Sequence, residues 1–472
     1  MNEYKIYLGG EFVSTTQKLM VANPYSGEVI AQTYLAGEKE IDAAIKKAES
    51  VAEILKRLPA YKKQNILLQI ADHLKQKRIY LAEVLSSESA KPLPYALAEI
   101  DRSAQTFTIA AEECKRLPKE YMSLDWTPAG ENKEGLVKYF PIGIVAGIAP
   151  FNFPMNLAVH KIAPAIAAGC PIILKPASST PLSTLELSKI IDATDLPKGA
   201  VSILPANRET GNLLVTDERI QMLSFTGSPD VGWKMKQQAG KKKVVLELGG
   251  NAGVIVSDSA DIELAVKKGV YGAFAYSGQI CIHSQRFFVQ EEIFDEFITR
   301  FVELTKTLRE GNPIEEATSI SVMIDLQNAE RVEKWISEAT QAGAKILLGG
   351  KRKGTFVEPT IFTNTNTGMR VNAEEVFGPV VCIEKIKNVE EGIVRINDSR
   401  YGLQCGIFTN NIDELNECFE RLHVGGVILN DVPTFRVDHM PYGGIKDSGL
   451  GREGVKYAIQ DMLEPKILVK NT

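Results

Sequence analysis

Several features that would steer a chain toward other functions are missing from this one. Its six cysteines, Cys114, Cys170, Cys281, Cys382, Cys405 and Cys418, are scattered and form no C-x-x-C pair. The five histidines do not cluster with them. This spacing argues against a disulfide scaffold or a structural zinc site, and no other metal constellation is visible; it fits free thiols in a reducing compartment. No apolar run approaches the ~18 residues that a membrane helix needs; GIVAGIAP is typical of the longest. The amino-terminal MNEYKIYLGGEF carries charge where a secretory leader needs an apolar core, so a cytoplasmic location is expected. Positive charge is not in excess. With 54 Lys and Arg against 59 Asp and Glu the net charge is −5, which argues against nucleic acid or an acidic membrane as a partner. There is no low-complexity tract and no repeat of fixed period.

What is present is an ordinary globular composition, 44% hydrophobic and 24% charged over 472 residues. At that length about two to four domains or lobes are expected. Residues 38–57 repeat apolar positions at spacings of three and four (Ile41, Ala44, Ile45, Ala48, Val51, Ala52, Leu55), which predicts an amphipathic helix. Further helices are predicted over 60–87 and 95–116. The texture then changes. GIVAGIAP, PIILKPA, AVSILPA and QMLSFTGS are short apolar runs ending in small or turn residues, with helical stretches between them. Strands alternating with helices predict a parallel sheet covered on both faces. The rhythm resumes after residue 250 with NAGVIVSD, a helix over 261–277, QRFFVQ, a helix over 291–309, AKILLGG, VVCIEKI, CGIFTN and GVILND. The chain therefore reads as two α/β lobes. Residues 119–138 fit neither and predict a hairpin or extended arm.

Chemistry in open parallel sheets gathers beyond the carboxyl ends of the strands. There this sequence places APFNFP, KPASSTP and FTGSPDVG. Gly227 and Ser228 open a helix and offer backbone N–H groups to a phosphate, although a plain strand-to-helix turn would look the same. In LELGGNAG, Glu247 precedes a Gly-Gly pair at the changeover between lobes. It is either a general base or a solvated strand-end carboxylate. Cys281, in YSGQICIHS, lies among small neighbours that give access to a thiol; a helix start there would favour its anion. The other reading is a buried cysteine acting as a small apolar residue. His283 does not share a helix face with Cys281, which disfavours a thiol-protease pairing. His160 and His439 read as structural or tunnel-lining.

Taken together, APFNFP, ILKPA, FTGS, LELGGN, GQIC, EEVFGP and PYGGIKDSGLGREG resemble the aldehyde dehydrogenase superfamily, in its order and with its spacings, over essentially the whole chain. The resemblance implies two Rossmann-like α/β lobes and a small β arm for oligomerisation. A dinucleotide-binding domain would take residues 1–118 and 139–249, a catalytic domain 250–449, and the arm 119–138 with 450–472. By similarity Cys281 is the nucleophile. Asn152 and the Cys281 backbone N–H hold the oxyanion, and Glu247 activates the water that hydrolyses a thioester. Lys175 matches the lysine beside the adenosine ribose, and Gly227 and Ser228 match the pyrophosphate turn. Glu375 matches the carboxylate on the nicotinamide ribose, with Phe377 packing nearby. A homodimer or homotetramer is implied, with a small aldehyde as substrate and NADP or NAD as cofactor.

One departure bears on the cofactor. Many NAD-specific members read KPAE where this chain reads KPAS. Ser178 removes a carboxylate that would repel a 2′-phosphate, so Lys175 can pair with that phosphate and NADP is the favoured expectation. A neutral turn residue compatible with NAD is the other reading. Arg102 and Arg436 fall in segments that flank the substrate tunnel in the family, where a guanidinium can clamp an anionic group. Arg102 reads equally well as a member of a structural ion pair. Arg286, five residues beyond Cys281, admits an anion-binding role or strand-end packing. Relatives acting on phosphorylated triose commonly have arginine where this chain has Ile280. TFRVDHMPYGG most resembles members acting on lactaldehyde and other small aldehydes. Two alternatives remain at this point: a coenzyme A-acylating relative, which usually lacks the glutamate seen here as Glu247, and a catalytically silent binding or structural protein on the same fold.

Overall fold

The computed structural model describes residues 2–471 and contains two large sheets. In the first, five parallel strands run side by side: Lys243–Leu248, Ile220–Gly227, Ile144–Ile148, Ile172–Lys175 and Val201–Ile203. Antiparallel edges close it, Gly449–Leu450 at one end and Ile6–Tyr7 with Phe12–Val13 at the other. The period of two along a strand explains why both faces are covered. Val145 enters one hydrophobic cluster, while Ile144, Ala146 and Ile148 enter the other. The helix Glu38–Arg57 covers the second face with Ile41, Ala44, Ile45 and Ala48, the predicted stripe; Ala52 of that stripe is only half-buried. Its start is closed by Glu40, whose carboxylate accepts from the Gly37 N–H at 2.7 Å.

The predicted helix over 60–87 is two helices, Ala60–Gln76 and Arg78–Ser89. Lys77 breaks them with φ −96° and ψ 13°. No proline or glycine marks the break, and the apolar spacing continues through Leu74 and Leu81, so the sequence concealed it.

The second sheet has six parallel strands, Thr360–Thr363, Val380–Ile386, Arg286–Gln290, Gly253–Val256, Gln404–Phe408 and Gly426–Leu429. Lys345–Leu348 adds an antiparallel edge. Segment 119–138 does form an arm: Lys119–Ser123 and Lys133–Pro141 pair antiparallel, and Leu463–Asn471 joins the long strand.

Topology fixes where the chemistry sits. Among the parallel strands of the first sheet the chain starts at Ile144–Ile148, builds outward on one side, then returns to build on the other. Ligand crevices open at such a reversal, outside the carboxyl ends of the strands. Only residues 249–252 separate the end of Lys243–Leu248 from the start of Gly253–Val256. The carboxyl edge of the first sheet therefore meets the amino edge of the second. Among the described residues no helix is long and apolar enough to cross a membrane.

Candidate active site

Two cavities meet at Cys281. The larger, 470 Å³, runs between the sheets from Gly227 and Ser228 past Glu375 and Phe377 to Asn152, Glu247 and Cys281. The smaller, 110 Å³, approaches from the other side and is lined by Tyr95, Arg102, Phe153, Tyr271, Ile280 and Thr434 among others. Cys281, Arg436 and Tyr442 line both.

The thiol owes its position to an unusual turn. The expected helix over 261–277 ends at Phe274, and Tyr276, Ser277 and Gly278 are all left-handed. Such geometry costs a side-chain-bearing residue roughly 1–2 kcal/mol. The surroundings hold it. The Tyr276 hydroxyl donates to the Ser89 carbonyl at 3.0 Å and the Ser277 hydroxyl to Ser321 at 2.7 Å. The Gln279 amide oxygen accepts from the Ile324 N–H at 2.9 Å. A Cβ at position 278 would strike the Gly378 carbonyl, so glycine is required there on two counts. Cys281 thus sits on a turn rather than at a helix start. Burial pushes its thiol up to about 11, against the opposing pull of Tyr442 and Arg436.

Asn152 comes from the loop after Ile144–Ile148. It is buried, and its amide donates to the Gln279 carbonyl at 3.1 Å, tying that loop to the thiol turn. Its second N–H is available to a ligand. Glu247, one residue before the end of its strand, is paired with Gly449 and is buried with neither carboxylate oxygen bonded. Burial first, then the neighbouring Glu453 charge, raise its carboxyl well above the usual range. An unpartnered buried carboxylate is costly for stability and is a stronger base than one in water.

The wall beyond it is a network that sequence reasoning missed. Burial alone would raise Glu453, but Lys161 at 3.1 Å and Arg436 at 2.9 Å hold it well below the ordinary range. Lys161 also donates to the Thr226 hydroxyl at 2.7 Å. Asp438 bonds His160 at 2.8 Å and Arg102 at 2.6 Å. Those partners outweigh burial and keep its carboxyl far below the usual range. One signal was available: Asn156–Ala168 is buried along its whole length, so His160 and Lys161 inside it had to find partners.

Of the remaining predicted residues, Gly227 and Ser228 stand where strand gives way to the helix Pro229–Gln238, with Ser228 at its N-cap. Glu375 accepts from the Gly250 N–H at 3.2 Å, and burial lifts its carboxyl to about 7. A Cβ at Gly249 would collide with that carboxylate, so the glycine makes room for it. Phe377 is left-handed, and its ring meets Phe151 edge-on at 5.7 Å. Lys175 and Ser178 do not line the large cavity; they follow the neighbouring strand end, where Lys175 pairs in register with Ile148. Burial depresses the Lys175 ammonium. Arg102 is bidentate to Asp438, and the Arg436 side chain is 6% exposed, with its guanidinium 3.7 Å from the Tyr442 ring centroid. Arg286 is buried, donating to the Asn251 and Arg395 carbonyls, and His283 bonds the Ala273 carbonyl. Neither lines either cavity. Among the described residues no cluster of His, Cys, Asp or Glu could hold a metal ion.

A single thiol therefore stands where a long crevice between the sheets meets a narrow tunnel. The family model described as the aldehyde dehydrogenase family matches residues 12–468. The chain belongs to that family and is an oxidoreductase of aldehydes. It is 41% identical over 472 residues to 3-sulfolactaldehyde dehydrogenase of Priestia aryabhattai, covering 100% of this chain and 98% of the relative. Aldehyde dehydrogenase 21 of Physcomitrella patens, solved with the product succinate, superposes at TM-score 0.98 with 45% identity, over 100% of this chain and 98% of that one. Glyceraldehyde-3-phosphate dehydrogenase of Methanocaldococcus jannaschii, solved with NADP, gives TM-score 0.93 and 40% identity, over 97% and 100%.

Proposed function

We propose that the chain oxidises a short aldehyde to its carboxylic acid through a thiohemiacetal and a thioester on Cys281, with NAD(P) as cofactor and NADP preferred. The supporting observation is the meeting of two cavities at one thiol beside an unpartnered carboxylate. The larger cavity suits a dinucleotide: N–H groups of a helix start at Gly227 and Ser228, the Glu375 carboxylate, and the Phe377 ring line its length. The nicotinamide, when bound, supplies a hydride acceptor.

Cys281 adds to the aldehyde carbon, and the developing oxyanion falls to the Asn152 amide and the Cys281 N–H. Loss of hydride from the tetrahedral carbon leaves the acyl group on Cys281. Glu247 takes a proton from the water that attacks this thioester, releasing acid and freeing the thiol.

The tunnel favours a small substrate, hydroxylated or with an anionic end. Its volume is small, and Arg102 and Arg436 bring positive charge to it. A relative named for an aldehyde bearing hydroxyl and sulfonate, and a neighbour holding succinate, support the same class. Ile280 speaks against a phosphorylated triose. The three-part division 1–118 with 139–249, 250–449, and 119–138 with 450–472 is our domain assignment. The arm carries exposed Tyr121, Trp126, Ile467, Leu468 and Val469, which supports pairing with a second copy in a dimer or tetramer. The free thiols agree with a reducing, cytoplasmic setting.

The test is NAD(P)H production with a panel of short aldehydes, run with wild type and Cys281→Ala. The variant should lose turnover and keep cofactor binding. Retention of more than a few per cent of activity would remove Cys281 as nucleophile. A requirement for coenzyme A would replace acid formation by acyl transfer.

A further inference from the structure

The Tyr442 hydroxyl lies 3.1 Å from the Cys281 sulfur. Several contacts fix it there. The Tyr442 backbone exchanges two hydrogen bonds with Glu453, at 3.0 and 2.6 Å. The Arg436 guanidinium lies over one face of its ring, 3.7 Å from the centroid, and is itself tied to Glu453. The residue is buried and lines both cavities at their junction.

We propose that Tyr442 is a catalytic residue whose phenol donates a hydrogen bond to the Cys281 thiolate and keeps that anion accessible in a site that otherwise suppresses it. The proposal rests on Cys281 being the nucleophile. A thiolate only accepts, so the phenol is the donor whenever the sulfur is charged. Burial, with Cys281 alongside, raises the Tyr442 phenol well above its ordinary value, so it keeps its proton across the working range. The charged groups facing the sulfur do not substitute for it. Arg436 favours the anion, but Glu375 and Glu247 oppose it, and Glu453 engages the Arg436 charge. Cys281 itself stands on a turn, and the phenol is the hydrogen-bond donor that the structure places on the sulfur. After addition to the aldehyde the sulfur is no longer anionic, and the same phenol can turn to the new oxygen.

The experiment is the pH dependence of Cys281 alkylation by iodoacetamide in the cofactor-free full-length enzyme, with Cys281→Ala as background. Tyr442→Phe keeps the ring beneath Arg436 and removes only the donor. Its alkylation midpoint should rise by about one to two pH units, and kcat/KM at neutral pH should fall roughly ten- to hundredfold, with NADP affinity unchanged. Replacing Tyr442 with 3-fluorotyrosine makes a stronger donor and should move the midpoint down, a shift that a packing role would not produce. The fluorinated protein carries the test even if the Phe variant folds poorly. An unmoved midpoint in either protein overturns the proposal. Alkylation needs no turnover, so this result is separable from failure of the aldehyde panel.

Discussion

The buried carboxylates around Cys281 are handled in opposite ways. Toward the large cavity Glu247 is buried with both oxygens unbonded. Glu453, which lines the same cavity, is held by Lys161 and Arg436, and Asp438 is satisfied by His160 and the tunnel-lining Arg102. An unpaired buried carboxylate costs a few kcal/mol and persists where it is used. A paired one holds shape. The difference separates a group kept free to react from groups that set the wall around it.

Glu247→Gln should show this contrast most strongly. An amide cannot take a proton from water, so acyl-enzyme should form and then persist. A burst of NAD(P)H followed by steady turnover about a hundredfold or more below wild type is expected from rapid-quench kinetics. Wild-type deacylation would mean another base. Stability gives a second reading. Burial raises the Glu247 carboxyl, so the folded protein holds that proton more tightly than the unfolded chain. Its contribution is therefore undiminished below the ordinary carboxyl range and is lost as pH rises through the raised value. The Gln variant escapes that loss. Its Tm should exceed wild type by a margin that grows with pH and closes in acid; a constant margin would mean Glu247 is not destabilised by ionisation.

What the sequence showed and what it hid divide along similar lines. The helix Glu38–Arg57 was readable to the residue because one face is buried and the other wet, and the apolar runs around GIVAGI marked sheet strands because both faces are covered. Cys281, Glu247 and Asn152 were readable from ordered motifs, and they do line one cavity. The left-handed run at Tyr276 and Ser277 left no mark, since the bonds that hold it reach Ser89 and Ser321. Glu453 and Tyr442 lie within the motif PYGGIKDSGLGREG, but their partners were hidden. Lys161 and Glu453 are far apart in the chain and meet only in the fold.

The paired wall offers the next test. Arg102 and Arg436 are both arginines of the tunnel, yet their surroundings differ. Removing Arg436 would leave Glu453 with Lys161 alone and strip the cation from Tyr442, so Arg436→Met should lower kcat/KM for neutral and anionic aldehydes alike. Arg102 is 28% exposed, and Asp438 keeps His160 without it. Arg102→Met should spare glycolaldehyde and reduce succinic semialdehyde by roughly 10–200-fold, about 1.5–3 kcal/mol. Equal losses in both classes would make Arg102 structural.

The smallest expected effect lies farthest from the thiol and asks whether the free-versus-paired contrast extends to the cofactor end. Among the described residues the Lys175 ammonium hydrogen-bonds only the Pro176 carbonyl, at 3.5 Å, and Gly211 gives its side chain room. No carboxylate among the described residues pairs with it, so its charge is free for an anion in the way Glu247 is free for a proton. Ser178 stands three residues on, its hydroxyl 3.4 Å from the Ala206 carbonyl. Ser178→Glu would bring a carboxylate to this end. It would compete for Lys175 and oppose a 2′-phosphate through both like charge and desolvation. The ratio of kcat/KM for NADP over NAD should then fall by roughly tenfold or more, about 1.4 kcal/mol. Ser178→Ala removes a long, weak hydrogen bond and adds no charge, so its ratio should stay within about twofold of wild type. If the glutamate leaves the ratio unchanged, Ser178 does not face the ribose, and the free ammonium of Lys175 serves some part of the cofactor common to both forms.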